Sequence, residues 1–284
     1  MPPRRLLRPS SARFKHDLPP VRSVNLAGVT RIDSPSNPRI KEALRAVESG
    51  ERLLLEGARA LGEALASGVR VTEVFYDGAE DAGAPELATR AAERGAASVP
   101  VSTRVLGKLS DLPSARGIVA LAEPPRKALA DVALSADSLV VLLDGVQDPA
   151  NVGAILRSAE AFGAAGVVLT PDCASAFSPK AIRASALSAL RLPVAPGVEA
   201  GAALAWAARG GAVLAGAEAR GGEPPEALRA VRPLVLVIGS EGRGISAALE
   251  AGLARRVTIP LEASVESLNA AVAAGVLLYA VTRR

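Results

Sequence analysis

The sequence contains few aromatic residues, a single cysteine and a single histidine. Aromatic residues make up 2% of the 284 residues, which argues against a nucleic-acid surface built by stacking bases on aromatic rings. Cys173 and His16 stand alone, so disulfides are excluded, and zinc clusters and Cys–His or Ser–His–Asp catalysis are disfavoured. We therefore expect no metal, and we interpret Cys173 as a small core residue.

Long apolar segments are absent as well. No apolar run reaches the roughly eighteen residues that a membrane span requires, and residues 1–20 lack the apolar stretch of a secretion signal. The composition, 49% hydrophobic and 22% charged, is typical of a globular protein with a buried core. These features predict a cytoplasmic protein without a membrane partner.

The positive charge is concentrated at the start of the chain. Residues 1–52 contain eleven Lys/Arg and five Asp/Glu, a net charge of +6, whereas the whole chain carries +4. A basic N-terminal segment followed by a nearly neutral remainder favours a polyanion such as nucleic acid as partner. A solvated leader segment or a bias towards arginine codons would produce the same pattern.

The order of predicted elements indicates an α/β protein with two domains. Residues 1–29 are predicted to be a basic, flexible arm, residues 30–122 a small domain, residues 123–137 a linker and residues 138–284 a second domain. The elements predicted in the small domain are a helix that starts at Asn37, strands 53–55, 71–76 and 117–122, and helices 58–67 and 86–94.

The second domain contains five continuous apolar segments that are predicted as strands. They span residues 139–143, 166–170, 212–215, 234–238 and 257–261, and helical segments separate most of them. This pattern predicts a mostly parallel sheet that is covered on both faces. Ligands bind beyond the carboxyl ends of such strands, so the loops that follow the strands are expected to contain the functional residues.

Three of these loops contain candidate functional residues. The first, D-G-V-Q-D-P-A-N-V-G over residues 144–153, predicts Asn151 as a helix N-cap, with Arg157 in the second turn. The second, G-S-E-G-R-G over residues 239–244, is neither a dinucleotide-binding nor a Walker pattern. In the third, Ser267 and Asn269 can cap a helix that runs to Val281. Taken singly, each loop is explained at least as well by helix capping or a structural turn as by a functional site.

Taken together, the three loops resemble the signature motifs of the SpoU (TrmH-like) RNA 2′-O-ribose methyltransferases. The order and spacing of D-G-V-x-D-P-x-N-V-G-x-I-x-R, G-S-E-G-x-G and I-P-x-x-x-x-x-x-S-L-N agree over residues 139–284. Residues 30–122 are similar to the substrate-binding domain that precedes the catalytic domain in several members. This similarity rests on three short sequence segments, Ser36–Lys41, Leu55–Gly57 and Gly117–Ala120.

The resemblance implies a fold, a methyl donor and a set of functional residues. It implies a ribosomal-protein-like RNA-binding domain, a trefoil-knotted SPOUT catalytic domain, a homodimer, S-adenosylmethionine as methyl donor and no metal. The implied catalytic residues are Asn151, Arg157, Glu241, Ser267 and Asn269, the cofactor-binding residues are Gly239, Ile259 and Leu268, and the RNA-binding residues are Asn37, Arg39 and Lys41.

The sequence departs from the family pattern at two positions. Ser240 replaces an asparagine that is frequent in the second motif, as in some ribosomal-RNA branches, which leaves activity plausible. Arg116 replaces a glutamine that many relatives have before Gly-Ile-Val-Ala, and this change puts fine substrate contacts in doubt.

The family assigns Arg157 as the group that activates the ribose hydroxyl. A guanidinium stays protonated and has no acceptor, so we expect Arg157 to stabilise the developing alkoxide or an adjacent phosphate. Glu241 is expected to accept the proton or to pair with Arg157.

The added small domain and the basic arm favour structured ribosomal RNA as substrate, with tRNA as the alternative. A catalytically inactive RNA-binding relative is the main rival, and cofactor binding would separate the two. A nucleotide-dependent oxidoreductase is disfavoured because G-x-G-x-x-G does not follow the first catalytic-domain strand.

Overall fold

The protein is described by a computed structural model that covers residues 29–110, 117–262 and 267–283. The predicted basic arm, except residue 29, lies outside the described residues, and so do His16 and Arg116. The fold described below therefore begins with the helix at Pro38 and ends with the helix at Thr282.

The first part of the chain forms a four-stranded sheet flanked by helices. Its elements are α1 (Pro38–Glu48), β1 (Leu53–Glu56), α2 (Ala58–Ala66), β2 (Val71–Tyr76), α3 (Ala84–Ala92), β3 (Ala97–Pro100), α4 (Thr103–Leu109) and β4 (Ile118–Ala122). The strand order is β1-β4-β2-β3, in which β4 is antiparallel to both neighbours and β2 is parallel to β3.

Side chains alternate between the two faces of a sheet along each strand. In this first sheet both faces are buried. In β1, Leu54 packs with Ile40 of α1 on one face. Leu53 and Leu55 pack with Ala60 of α2 on the other face. The sheet is thus a central layer with helices on each side, which explains why its strands are mostly apolar.

The second part of the chain forms a six-stranded sheet. Its elements are β5 (Leu139–Asp144), α5 (Pro149–Ala161), β6 (Gly166–Leu169), α6 (Pro179–Ala184), β7 (Val194–Ala195), α7 (Ala200–Arg209), β8 (Val213–Ala217), β9 (Leu234–Gly239), α8 (Ala247–Glu250), β10 (Arg255–Val257) and α9 (Ala270–Thr282). The strand order is β10-β8-β9-β5-β6-β7, and every neighbouring pair is parallel.

The order of strands reverses at the centre of the second sheet. From β5 the chain adds β6 and β7 on one side, and it then crosses over to build β8, β9 and β10 on the other side. In parallel α/β sheets the crevice at such a reversal, beyond the carboxyl ends of the strands, is the usual ligand site. Here that crevice lies between β5 and β9.

The predicted strands over 139–143, 166–170, 212–215 and 234–238 are confirmed within one or two residues, but the fifth strand is placed differently. It was expected over residues 257–261, whereas β10 spans Arg255–Val257. Its two arginines are tolerated because β10 is an edge strand. Beyond it, Pro260 has no backbone N–H with which to extend the ladder. The short elements β3, α4 and β7 were not predicted.

Ion pairs connect the two sheets. Arg183 of α6 lies 2.8 Å from the carboxylate of Glu56 in β1, whose side chain is only 8% exposed. Arg191 bridges Glu63 of α2, at 2.9 Å, and Glu160 of α5, at 2.6 Å. These contacts fix the orientation of the first sheet against α5 and α6.

Two classes of structural feature are missing from the described residues. None of the helices described here is long and apolar enough to cross a membrane. In the same part of the chain, no three His, Cys, Asp or Glu side chains come together in a way that could hold a metal ion.

Candidate active site

The loops after β5, β6 and β9 are joined by hydrogen bonds at the centre of the second sheet. Asp144 ends β5 and lies beside Gly239, which ends β9. The buried Asp144 carboxylate accepts a 2.6 Å hydrogen bond from the backbone N–H of Ser246. The backbone N–H of Gly145 donates to the Thr170 hydroxyl at 3.0 Å. The three loops therefore form one continuous surface.

Asn151, Glu241 and Asn269 form a polar cluster on this surface. Oε1 of Glu241 accepts hydrogen bonds from Asn151 Nδ2 at 2.7 Å and from Asn269 Nδ2 at 2.9 Å. The backbone N–H of Ala270 donates to the same oxygen at 3.2 Å. Asn269 also donates to Asn151 Oδ1 at 3.0 Å. The structure thus brings together three of the five predicted catalytic residues, one from each motif.

The prediction that Asn151 caps α5 is wrong. The helix begins earlier, with Asp148 as N-cap: its carboxylate accepts from the Ala150 N–H at 3.0 Å. Pro149 at the first helical position favours this start because its fixed φ suits a helix and its missing N–H needs no partner there. Asn151 therefore lies in the first turn, buried, and its amide is free to join the polar cluster.

Asn269 caps α9, as predicted. Its Oδ1 accepts from the backbone N–H groups of Ala271 and Val272, at 3.0 and 3.3 Å. Its Nδ2 donates to Asn151 and Glu241. One side chain therefore serves both as helix cap and as a member of the site, which is why its residue type alone could not separate the two roles.

A cavity of about 490 Å³ lies beside the polar cluster. The three predicted cofactor-binding residues, Gly239, Ile259 and Leu268, all line it, and so do Glu241 and Ser267. Its volume falls within the range of small-molecule sites, roughly 300–1,000 Å³. The cavity shares Glu241 with the cluster, so a molecule bound there would lie against the candidate catalytic groups.

Gly239 lets the loop after β9 fold back onto the strand end. A Cβ atom at this position would lie 2.3 Å from the backbone carbon of Gly244 and 2.6 Å from the backbone nitrogen of Ile245. Ser240 and Gly244 also exchange backbone hydrogen bonds of 3.0 and 2.9 Å. Only glycine fits such a close backbone approach, so the G-S-E-G-R-G pattern is first of all a requirement of this turn.

Arg157 is separate from the polar cluster. It is exposed on α5, six residues beyond Asn151, which is about 9 Å along the helix axis. Its side chain makes no hydrogen bond or ion pair with any residue that the structure describes, Glu241 included. Ser267 is also exposed and contributes to the cavity wall. Two of the five predicted catalytic residues thus lie outside the hydrogen-bonded cluster.

A second, smaller cavity adjoins the cluster on the side of the β5 loop. Its volume is about 260 Å³, and Gln147, Asp148, Asn151, Glu241 and Arg243 are among its lining residues. Gln147 and Arg243, like the buried Asp144, were not singled out from the sequence. The only available signal was their position within the motifs, directly after strands.

The residues predicted to bind RNA lie at the start of α1. Asn37 is the N-cap of this helix and accepts from the Arg39 N–H at 2.9 Å. The Arg39 guanidinium pairs with Glu73 of β2, whereas Lys41 is exposed. Burial raises the pKa of the Glu73 carboxyl, although Arg39 acts in the opposite direction. Of the three, only Lys41 presents a cation without a described carboxylate partner.

The fold and the site together define an α/β ligand-binding domain with an enzyme-like site. A parallel sheet ends at a small-molecule cavity beyond β8, β9 and β10, and the carboxylate–amide cluster lies beside that cavity. The model of the SpoU rRNA Methylase family matches residues 138–279, which is half of the chain. The model of the MRM3-like substrate binding domain matches residues 37–120. The chain belongs to the SpoU methylase family, and it is a methyltransferase of that family.

Curated relatives and solved structures agree with this assignment. An uncharacterized tRNA/rRNA methyltransferase of Mycobacterium avium is 35% identical over 265 residues, covering 88% of this chain and 85% of the relative. The SpoU methyltransferase AviRb of Streptomyces viridochromogenes, in complex with AdoMet, is 29% identical with a TM-score of 0.74, covering 87% and 97% of the two chains. An RNA 2′-O ribose methyltransferase structure is 30% identical with a TM-score of 0.71, covering 89% and 98%.

Proposed function

We propose that this protein transfers a methyl group from S-adenosylmethionine to a ribose 2′-hydroxyl of structured RNA. The proposal rests on one observation: Glu241 belongs to the polar cluster and also lines the 490 Å³ cavity. A similar protein of known structure is an RNA 2′-O ribose methyltransferase, and another binds AdoMet. Within this proposal, the catalytic domain is knotted and the protein acts in the cytoplasm.

The larger cavity fits S-adenosylmethionine in size and in chemistry. Ile238, Ile259 and Leu268 give it apolar walls suited to an adenine ring. The loop at Gly239, which a Cβ would disrupt, brings backbone groups to the same wall. The carboxylates of Glu218, which pairs with Arg256, and of Glu241 also line the cavity. Gly239, Ile259 and Leu268 would hold the adenosine portion.

The reaction requires a weak nucleophile to be positioned and deprotonated. S-Adenosylmethionine supplies a methyl group on a positively charged sulfur, and a carbon–oxygen bond forms as the carbon–sulfur bond breaks. The 2′-hydroxyl must lose its proton in the same process. Glu241 is the candidate acceptor: Oε1 is held by three donors, and Oε2 makes no hydrogen bond with the described residues. Asn151 and Asn269 would fix the carboxylate, and Ser267 would contact substrate at the cavity wall.

Arg157 is proposed to stabilise the developing alkoxide electrostatically. In this proposal, Arg157 becomes part of the active site when two copies of the chain form a homodimer. Arg157 precedes Ser158, which faces Gly275 of α9. The outer side of α9 exposes Val272, Val276 and Tyr279, each more than 40% accessible. A second copy covering this apolar face would also enclose the neighbouring Arg157. A monomer in sedimentation equilibrium at micromolar concentration would contradict this part of the proposal.

Ribosomal RNA is the proposed substrate, and tRNA is the alternative. The match of residues 37–120 to a substrate-binding domain adds an RNA-facing module to the catalytic domain. The sequence of residues 1–52 carries a net charge of +6, which supports binding to a large polyanion. Comparable methylation of purified tRNA and deproteinised ribosomal RNA would remove the support for this preference.

Transfer of labelled methyl from S-adenosylmethionine to total RNA, followed by nucleoside analysis, tests the proposed function. We expect ribose-methylated nucleosides and a loss of at least about a hundredfold in turnover for Arg157→Ala. Near-normal turnover of Arg157→Lys would rule out a specific guanidinium role. Arg209→Ala, which removes an exposed arginine of α7 on the opposite face of the sheet from α5, is the matched control. Base-methylated product would refute the 2′-O assignment.

The alternative from another functional class is an RNA-binding relative without activity. The intact polar cluster argues against it because Asn151, Glu241 and Asn269 are all present and hydrogen-bonded. Calorimetry with S-adenosylmethionine separates the two: the proposed enzyme binds the cofactor, whereas a relative that retained only RNA binding would give no heat of binding.

A further inference from the structure

The smaller cavity adjoins the polar cluster but is distinct from the cavity proposed for the cofactor. It lies between the loop after β5 and the loop after β9, and its volume is about 260 Å³. That volume suits a single sugar–phosphate unit and is too small for a folded RNA element. Asn151 and Glu241 belong to both its wall and the polar cluster. A group bound in it would therefore be adjacent to the reacting hydroxyl.

The carboxylates that line this cavity are already neutralised or hydrogen-bonded. Lys180 donates to Asp148 Oδ1 at 2.7 Å, and the Ala150 N–H donates to the same oxygen at 3.0 Å. The hydrogen bond from Lys180 holds the pKa of Asp148 below its usual range, so the pair stays ionised. Glu241 accepts three hydrogen bonds from the cluster. Because donors already occupy both carboxylates, this cavity is not expected to bind a cation.

The side chains with unused donors at this cavity are Arg243 and Gln147. Both are exposed, and neither forms a side-chain hydrogen bond or ion pair with any residue in the described ranges. The Arg243 guanidinium lies over Gly145: an ideal Cβ on that glycine would be 3.7 Å from Nη2. The backbone N–H of Arg243 is held by Ser240 Oγ at 3.2 Å. A guanidinium and an amide therefore point donors at the same small space.

We propose that Arg243 and Gln147 bind a backbone phosphate of the RNA next to the target ribose. This inference rests on the proposed function and names the part of the substrate that the smaller cavity recognises. A guanidinium matches phosphate geometry with two parallel hydrogen bonds, and a phosphate contact fixes register without reading sequence. Arg243 thus positions the hydroxyl against Glu241, which lines the same cavity.

Filter binding with unmodified ribosomal RNA transcribed in vitro, over a series of salt concentrations, tests this assignment. Arg243→Ala should weaken RNA binding roughly tenfold at low salt and reduce the slope of log K against log salt by about 1. Arg243→Lys should restore the slope because it keeps the charge, but only part of the affinity. In methyl transfer, KM for RNA should rise while KM for S-adenosylmethionine stays unchanged. Arg209→Ala is the control because it also removes one exposed positive charge. It should leave both the salt-dependent RNA affinity and the KM for RNA unchanged.

The outcomes distinguish this inference from the proposed function. Unchanged RNA affinity and salt slope in Arg243→Ala would overturn the phosphate contact, even if the unchanged protein methylates ribose. An equal loss of S-adenosylmethionine affinity would also overturn it, because Arg243 would then only support the loop. If the unchanged protein binds the RNA without methylating ribose, the proposed function fails, and the salt slope still decides whether Arg243 contacts phosphate.

Discussion

Glu241 joins the three motif loops because three donors converge on one of its oxygens. The donors come from α5, from the side chain that caps α9 and from the α9 backbone. Hydrogen bonds to a charged acceptor are stronger than those between neutral groups. Truncating Glu241 would therefore leave the amides of Asn151 and Asn269 without their shared acceptor. The residue is both a candidate catalytic group and the structural centre of the site.

Two glycines of the same loop give a matched test of how this site binds the cofactor. A Cβ at Gly239 would lie within 2.3–2.6 Å of the backbone at residues 244–245, whereas a Cβ at Gly242 meets nothing within 4 Å. Gly239→Ala must therefore displace the loop that forms one wall of the cavity. We expect at least about a tenfold loss of S-adenosylmethionine affinity, or about 1.4 kcal/mol, in isothermal titration calorimetry.

Gly242→Ala is the control for this measurement, and it should bind S-adenosylmethionine as the unchanged protein does. The structural basis would be contradicted if the two variants lost affinity equally. Wild-type affinity in Gly239→Ala would show that the loop can relax without affecting the cavity.

At the level of single residues, the motifs could be predicted from the sequence but their geometry could not. The capping role of Asn269 followed from its position before an apolar helix, and the structure confirms it. Asn151 was expected to cap α5, but Pro149 moves the start of that helix to Asp148. Glu241 was expected to accept the proton or to pair with Arg157, whereas Arg157 is exposed on α5 and makes no ion pair with a described residue. Side-chain direction depends on the helix start, which sequence patterns locate only within a few residues.

The helices around the site pack at very different distances. A Cβ at Gly153 of α5 would lie 2.4 Å from the Ala181 carbonyl oxygen and 2.7 Å from the Ala184 Cβ. At Gly275 of α9 the nearest atom is Ser158 Oγ at 3.6 Å, an ordinary contact. The small side chains of α9 around Gly275 would allow another backbone to pack closely there. Within the described chain such close packing occurs instead at Gly153, between α5 and α6.

This difference predicts opposite effects of alanine at the two glycines. Gly153→Ala should destabilise the protein by about 1–3 kcal/mol because the backbones of α5 and α6 must move apart. Gly275→Ala should be neutral or stabilising by up to about 1 kcal/mol, since alanine favours a helix interior more than glycine does. Urea denaturation measures both free energies of unfolding. Equal destabilisation would show that α9 packs more tightly in solution, as it would if a second copy approached it at Gly275.

At the level of elements, the long apolar strands could be predicted and the short ones could not. All six residues of β5 are buried, and so are all residues of β9 except Gly239. In an alternating α/β pattern, buried apolar runs of this length predict strands. β7 has two residues, and β10 contains two arginines at a sheet edge. These short strands are defined by pairing with distant strands rather than by local sequence. The same reason explains why the contact between the loops of β5 and β9 was not visible in the sequence.

Charged groups at the boundary between the two sheets are paired and partly buried. Glu56 accepts from Ser110 Oγ at 2.5 Å and from Arg183 at 2.8 Å, with its side chain 8% exposed. A carboxylate in this position is costly to leave without its cation. By contrast, Arg70 and Glu123 form a pair whose side chains are 76% and 42% exposed. The first pair sets the angle between the sheets, and the second is a surface contact.

Removing the cation from each pair separates these roles. Arg183→Ala should lower the free energy of unfolding by about 1–2 kcal/mol because it leaves Glu56 with a buried, unpaired charge. Arg70→Ala should change it by less than about 0.5 kcal/mol. Adding Glu56→Gln to Arg183→Ala should recover part of the loss, since a neutral amide still accepts from Ser110 at less cost of burial. Urea denaturation of the three variants is the measurement. If Glu56→Gln gave no recovery, the effect of Arg183 would come from packing of its aliphatic chain, and the ion pair would not be what orients the two sheets.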